Sequence, residues 1–506
     1  MINLFFEGVD SWNGFQSRMI REINEQMPLH RVVLTDKQHD GMDHFDENLV
    51  HLINYDVCEH NRYDEIVDFN DLIPLSREIL EAMRPYEATA LQMLVRNFER
   101  DVYTFDEAKQ LYLKHLRFWN HIFVTQQINM VCFNNIPHHC HDYVIYSLAK
   151  IYHTGMAVCA DTSIPPRLAT GKDLEHLWQA PYERYLELKD SGDVELPEDL
   201  EHYYQALLYS NENLDKSAVH RGMSREHHIQ VRRATFEEYF NREHRFKRRK
   251  HLIKLALTED FKKNMEKLQE EHAICKRAAM KLHSMRGIDY YNSLTSEPVA
   301  GERYLIYFLH LQPEATTLPQ GGVFVEQELM IQILAKAAER FGIKVYVKEH
   351  FVQPCRNKSF YDGLAKLRNV RLIHSDRDSK ELAKNCVATA SCNGTILLES
   401  IFNGKPTFIF GEVCFEKAPG VFRIGSAEEC EAVLEQIESG SFSIDQNQVR
   451  AYLKAFGENS IRAYFDCSLY EKDSRISMDE GRQAYVGYVV KALREHFEQK
   501  EGMIER

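Results

Sequence analysis

Between residues 304 and 411, short apolar runs alternate with longer stretches whose apolar residues recur at helical spacing. YLIYFLHLQ (304–312), KVYVKEH (344–350), VRLIHS (370–375) and TFIFG (407–411) read as strands, and QELMIQILAKAAERFG (327–342) reads as a helix. A small-residue turn and a second helical stretch, TASCNGTILLESIFNGKP (389–406), precede the last strand. Strands interleaved with helices predict a doubly wound parallel sheet, in which ligands sit at the carboxyl ends of the strands. Polar residues collect at those ends: Gln312 and Glu314, Lys348 and His350, then Ser391, Asn393, Gly394 and Thr395.

The first third of the chain repeats the idiom. INLFFEG (2–8), RVVLTD (31–36), HIFVTQQINMVCF (121–133) and MAVCAD (156–161) read as strands. SWNGFQSRMIREINEQ (11–26), residues 104–118 and YVIYSLAKIYH (143–153) read as helices. This predicts an α/β chain with one Rossmann-like domain over 1–170 and a second over 298–425. Residues 171–297 are charge-rich and helical in pattern, and read as a helical insertion ending in a linker. Amphipathic helices over 426–506 are expected to pack across the domains.

Composition narrows the picture. A chain of 506 residues has room for two or three domains, and 44% hydrophobic with 27% charged residues describes an ordinary globular protein. Formal charge is 62 − 76 = −14, which excludes a general nucleic-acid coat. No apolar run approaches the roughly 20 residues that span a bilayer. The first residues lack a basic region and read as a strand rather than a secretory leader. Eleven cysteines without paired CxxC spacing point to reduced thiols in a cytoplasmic protein rather than a disulfide framework or zinc site. The basic run REHRFKRRKHLIK (242–254) can attract an anionic surface, but neighbouring acids favour a solvated helix face.

Candidate chemistry follows from the strand ends. The turn SCNGTILLES opens a helix, and exposed N–H groups at such a start favour a phosphate. Gly394 permits close approach, Ser391 and Thr395 can donate hydroxyl hydrogen bonds, and Glu399 shares a helix face with Thr395 and can accept from ribose hydroxyls. An ordinary capped turn explains the same residues. Lys348 and His350, two apart on a strand, can converge on one anion, or are a solvated strand end. Arg356 is a further phosphate candidate. Glu314 can serve as general base or simply sit in a flexible loop.

In the first half, Glu7 ends a strand and can face an acceptor, while Asp10 or Ser11 can cap the next helix. PHHCHD (137–142) offers three histidines without a second cluster of liganding spacing. A metal is therefore not expected, and His138 or His139 is read as lining the interdomain cleft. Asp161 and Arg167 also follow a strand, with the same two readings.

The ordered segments HLQPEATTLPQGG, VYVKEH with a following arginine and the pair Phe360–Tyr361, NVRLIHS, and SCNGTILLESIFNGKPTFIFG carry a resemblance. With PHHCHDYVIYSLAKIYHTG and DTSIPPR nearer the start, the chain resembles the capsule polysaccharide biosynthesis proteins, a group that includes capsule Kdo transferases. The likeness is weakest over 171–297. It implies a GT-B-like arrangement and a glycosyltransferase with a nucleotide-activated donor, a CMP-linked acidic sugar being the first candidate. The acceptor would be a surface polysaccharide or its lipid-linked primer.

Carried over, the donor phosphate falls to His350, in a position where related families have a His-Pro pair and this chain has Phe351. Ser391, Gly394 and Thr395 would take the phosphate, Glu399 the ribose, and Gln312, Lys348, Arg356 and Asn393 would complete the donor site. Glu314 would lie near the reacting centre, with Glu7 as the other candidate carboxylate. The resemblance calls for no metal, cofactor or nucleic acid, and allows peripheral contact with the inner membrane face or other capsule assembly proteins. A sugar-nucleotide epimerase, a polyol-phosphate transferase and a non-catalytic assembly subunit are the alternatives.

Overall fold

A computed structural model describes residues 1–8, 14–36, 45–96, 105–162, 164–210, 287–312, 314–350, 356 and 358–504. The basic run 242–254, most of the expected insertion, Asp10, Ser11 and Phe351 lie outside the described residues.

Two sheets organise the chain. The first contains β1 (Ile2–Glu7), β2 (Leu29–Asp36), β3 (Val50–Asn54), β4 (Met130–Phe133), β5 (Gly155–Asp161) and β6 (Arg167–Gly171). The second contains β7 (Tyr304–Phe308), β8 (Lys344–Lys348), β9 (Val370–Ile373), β10 (Ala388–Ser391), β11 (Thr407–Ile409) and β12 (Val421–Arg423). A late strand, β13 (Ser460–Arg462), returns to the first sheet and gives it seven strands in the order β13-β6-β5-β4-β1-β2-β3. The second sheet has six, ordered β12-β11-β10-β7-β8-β9, and every pairing in it is parallel. The chain therefore carries two Rossmann-like α/β sheets, as the alternation predicted.

Burial on both faces explains why the central strands read as continuous apolar runs. In β7 and β8, Leu305, Tyr307, Val345 and Val347 pack against Met330, Ile331 and Leu334 of the helix Gln327–Glu339. The alternate residues Tyr304, Ile306, Phe308 and Tyr346 meet Leu382 and Ala383 on the other face. The first sheet is covered likewise: Phe5, Val33 and Val131 face Trp119, while Leu4, Phe6 and Val32 face Met19, Ile20 and Ile23.

One predicted element changes type. The helix Phe105–Thr125 occupies the first part of the expected strand 121–133, and only Met130–Phe133 is extended. Phe118, Trp119, Ile122 and Phe123 recur at helical spacing and are all buried. Their burial overrides the strand preference of a β-branched and aromatic run.

The helix Met478–Ile504 presses Tyr485, Val486, Val489 and Leu493 into the first sheet's core. Arg482 on the same helix, with its side chain 8% exposed, bonds Glu22 at 2.9 Å. The helix Gln446–Glu458 touches both halves of the chain. Tyr204 donates to Gln446 at 2.9 Å, Arg167 to the Gly457 carbonyl at 2.8 Å, and Tyr452 to the Cys414 carbonyl at 2.8 Å. Arg167 also pairs with Asp199 at 2.8 Å, so its guanidinium is held within this packing. The nine described cysteines are free and buried, and among the described residues no helix is long and apolar enough to cross a membrane.

Because Leu493 is fully buried against the first sheet, Leu493→Ala is expected to cost about 2–5 kcal/mol in urea unfolding. A loss under about 0.5 kcal/mol, the scale of a surface change, would show the helix to be an appendage.

Candidate functional site

The second sheet's carboxyl edge is built by the segments that follow β7, β8, β10 and β11. β7 stops at Phe308, earlier than its apolar run suggests, and Gln327 replaces the ladder. Its side chain accepts from His310 N at 2.7 Å and donates to His310 O at 3.0 Å and to Gln312 at 3.0 Å. The chain then turns at Glu314, whose carbonyl accepts from the backbone of Thr317 and Leu318. Asn393, just past β10, donates to Thr316 O at 2.5 Å and to Glu412 O at 3.2 Å, which ties the loops after β7, β10 and β11 together.

An imidazole and a carboxylate occupy the middle of this edge. His310 Nε2 is 2.5 Å from Thr316 Oγ1 and 3.4 Å from Glu314 Oε2, and the Thr316 hydroxyl donates to Glu314 at 2.8 Å. Burial would raise the Glu314 pKa, but hydrogen bonding and charge from His310 outweigh it, with Thr316 and His350 adding, and hold the group below the ordinary carboxylate range. A Cβ at Gly394 would lie 3.5 Å from His310 Nδ1 and from Ser391 Oγ, an ordinary contact. The glycine is therefore not required by the turn, and it brings the backbone of residue 394 beside His310 and Ser391. Ser391 itself donates to Phe308 O at 2.8 Å.

Beneath the edge lies an ion pair. Glu349, directly after β8, accepts from Arg356 Nε at 3.0 Å, from the Tyr361 hydroxyl at 2.7 Å and from His350 N at 2.8 Å. Arg356 reaches back to the His310 carbonyl at 2.5 Å and stacks over Phe360 at 5.1 Å. The side chains of Glu349 and Arg356 are 0% and 6% exposed.

The predicted residues thus divide. Gln312, Glu314, His350, Asn393, Gly394 and Ser391 lie around His310 or are bonded to its neighbours. Arg356 belongs to the same edge, but its guanidinium is engaged by Glu349, Gln312 and the His310 carbonyl. Lys348 is the last residue of β8 and is buried, so His350 lies past the strand rather than on it. Thr395 is exposed where the helix Ile396–Phe402 begins, and the buried Glu399 lies 3.8 Å from Lys380 Nζ. His310 and Glu349 were not singled out from the sequence. The signal for His310 was its place just ahead of Gln-Pro-Glu, where the proline cannot continue a ladder.

Glu7 and His138 stand at the corresponding edge of the first sheet. Burial and the charge of Asp142 raise the Glu7 pKa well above the ordinary range, against backbone hydrogen bonds from Asn134 and Asn135. Asp142 accepts from the backbone of His138 at 3.1 Å and His139 at 2.8 Å, and His138 Nδ1 donates to Ile136 O at 2.6 Å. The ring of His141 lies 5.0 Å from Tyr55, and burial keeps this histidine neutral by lowering its pKa well below the usual value. Elsewhere, Asp56, Glu59 and His60 bring their ligand atoms within 4.8 Å, but His60 Nδ1 already faces the Asp56 carbonyl at 2.7 Å.

No family model matches the chain, and no curated protein matches it. Solved structures with a similar course include Thermosulfurimonas dismutans KpsC, a β-Kdo 2,7 transferase, at 10% identity and TM-score 0.29, covering 78% of this chain and 95% of that one. Anabaena HepE in complex with UDP gives 8% identity and TM-score 0.29, covering 97% and 100%. A Methanocaldococcus jannaschii UDP-GlcNAc 2-epimerase gives 10% and 0.24, covering 89% and 98%. Scores this low bear on neither substrate nor reaction.

Breaking the buried pair leaves Arg356 without its counter-charge. Glu349→Gln is expected to destabilise the chain by about 3–5 kcal/mol in urea unfolding. A change within about 0.5 kcal/mol would show that the pair does not hold the edge.

Proposed function

We propose that this protein is a glycosyltransferase that moves a sugar from a nucleotide-activated donor to a surface polysaccharide or its lipid-linked primer. A CMP-linked acidic sugar is the first donor to test. The observation that carries the reading is the gathering of the loops after β7, β8 and β10 around one imidazole–carboxylate pair, at the edge where parallel α/β sheets hold ligands.

In this reading the donor phosphate lies beside Gly394, with Ser391 and Thr395 at the same turn. His350 and the N–H groups of the turn stabilise the leaving group, and the buried Lys348 adds positive potential behind them. Gln312 and Asn393 shape the donor site, and Glu399 receives the ribose.

Two carboxyl groups with opposite shifts then divide the work. Glu314, held low by His310, stays ionised and is a weak base. Glu7, raised by burial and Asp142, is better matched to taking a proton near neutral pH. An acceptor hydroxyl, oriented beside His138, attacks the anomeric carbon and its proton passes to Glu7. The bond from that carbon to the phosphate oxygen breaks, and its electron pair leaves with the nucleotide.

Incubation with CMP-, UDP- and CDP-linked sugars and a glycan acceptor, followed by product analysis, tests the reading. Release of nucleotide with a lengthened acceptor is expected. An epimerised donor, a transferred polyol phosphate or no turnover with any donor would sink it. His350→Ala should lower kcat/KM by about 100-fold or more with an unchanged melting curve; full activity in that variant removes its role.

The pH profile gives a further expectation. Glu7 accepts a proton only when ionised, so the rate should fall as pH drops through its raised pKa, above the ordinary carboxyl range. Asp142→Asn removes the charge that adds to the effect of burial, and the acid limb should move to lower pH. An unmoved limb would assign the proton to another group.

A further inference from the structure

Resting on that reading, we propose that His310 itself binds the phosphate of the substrate, with Glu314, acting through Thr316, as its charge partner. The arrangement of hydrogens leads there. The single Thr316 hydroxyl hydrogen goes to Glu314, so the Thr316 oxygen is free to accept from His310 Nε2–H at 2.5 Å. The second ring nitrogen, Nδ1, is the one beside Gly394, 3.5 Å from where a side chain would begin. A ring carrying both protons therefore presents Nδ1–H toward Gly394, while the carboxylate behind it offsets its charge. An imidazolium so held is a charge-assisted donor for an anion.

The ring is also fixed in place. Its side chain is 16% exposed, and the backbone of residue 310 is gripped by Gln327 on both polar groups and by Arg356 on the carbonyl. The charged groups that bear on it are Glu314 from its own loop, His350 through Glu314, and Arg356, whose charge is met by Glu349.

A second observation marks the same turn as ligand-facing. Asn393 is 5% exposed and spends its amide hydrogens on Thr316 O and Glu412 O, which leaves Oδ1 with no donor among the described residues. Buried acceptors are rarely left so, and a phosphate ester carrying hydroxyl or amino groups brings the missing donor with its anion.

Titration calorimetry of the full chain with CMP, UMP, CDP and UDP, beside cytidine and uridine, tests the assignment. His310→Gln should weaken all four nucleotides by roughly 10- to 100-fold, the range of one charge-assisted hydrogen bond, and leave the nucleosides unchanged. Thr316→Val, which keeps the shape and removes the relay, should weaken the nucleotides by a smaller factor in the same selective way. It decides alone if the glutamine variant does not fold. Equal loss for nucleotides and nucleosides, or no loss, overturns the role of His310 while the wider reading stands. Failure of the unmodified protein to bind any of the six overturns both.

Discussion

The buried pair of Glu349 and Arg356 is the interaction on which the second sheet's carboxyl edge depends. Parallel strands are held by their ladders only as far as the ladders run, and β7 and β8 end at Phe308 and Lys348. Beyond them the chain needs other partners for its polar groups. Glu349 supplies them after β8, by accepting from His350 N, and Arg356 supplies them after β7, by donating to the His310 carbonyl. A charge pair this deep is a poor source of net stability, since desolvation consumes most of the attraction. Its consequence is positional: two histidines on separate strand ends are referred to one rigid group.

That reference frame gives the weaker contacts above it a defined geometry. The relay from His310 through Thr316 to Glu314 consists of bonds that a mobile loop would not hold at once. Gln327, rooted at the start of a helix packed on the sheet, fixes the backbone from the other side. Asn393 joins the third strand end to the same loop. Helix, ladder and ion pair thus restrain one another around the His310 imidazole.

Much of this frame was legible in the residues, and the exceptions have physical causes. The apolar runs of β1, β2, β7 and β8 are buried on both faces, and continuous hydrophobicity bounded by turns is what such strands must show. β3, β6 and β13 carry no such signal, because each is only partly buried, β3 and β13 stand at the sheet's two edges, and β13 is only three residues long. The segment 121–133 misled because phenylalanine, isoleucine and valine satisfy both periods over a few residues, and only packing around Trp119 decides between them. At the carboxyl edge of the second sheet, Glu314, His350 and Gly394 were visible as polar or turn residues after strands. His310 was hidden by its own neighbours: Leu309 and Leu311 extend the alternation past Phe308, where β7 ends. Glu349 was hidden because a carboxylate between a lysine and a histidine suggests solvent, and its burial is understood only with Arg356, Tyr361 and Tyr291 in place.

Distribution over two sheets also bears on how the carboxyl groups can differ. Two carboxylates within a few ångströms share a proton, and neither keeps an independent affinity for it. Glu7 is buried beside Asp142 at the end of β1, whereas Glu314 is 43% exposed and hydrogen-bonded within the loop after β7. Each shift arises from neighbours belonging to its own sheet. The first environment can therefore favour a bound proton while the second favours its absence, at the same pH and within one chain. In one shared pocket the two groups would titrate as a coupled pair, and neither affinity would belong to one residue. On separate scaffolds each affinity is set by its own surroundings: burial and Asp142 for Glu7, His310 and Thr316 for Glu314.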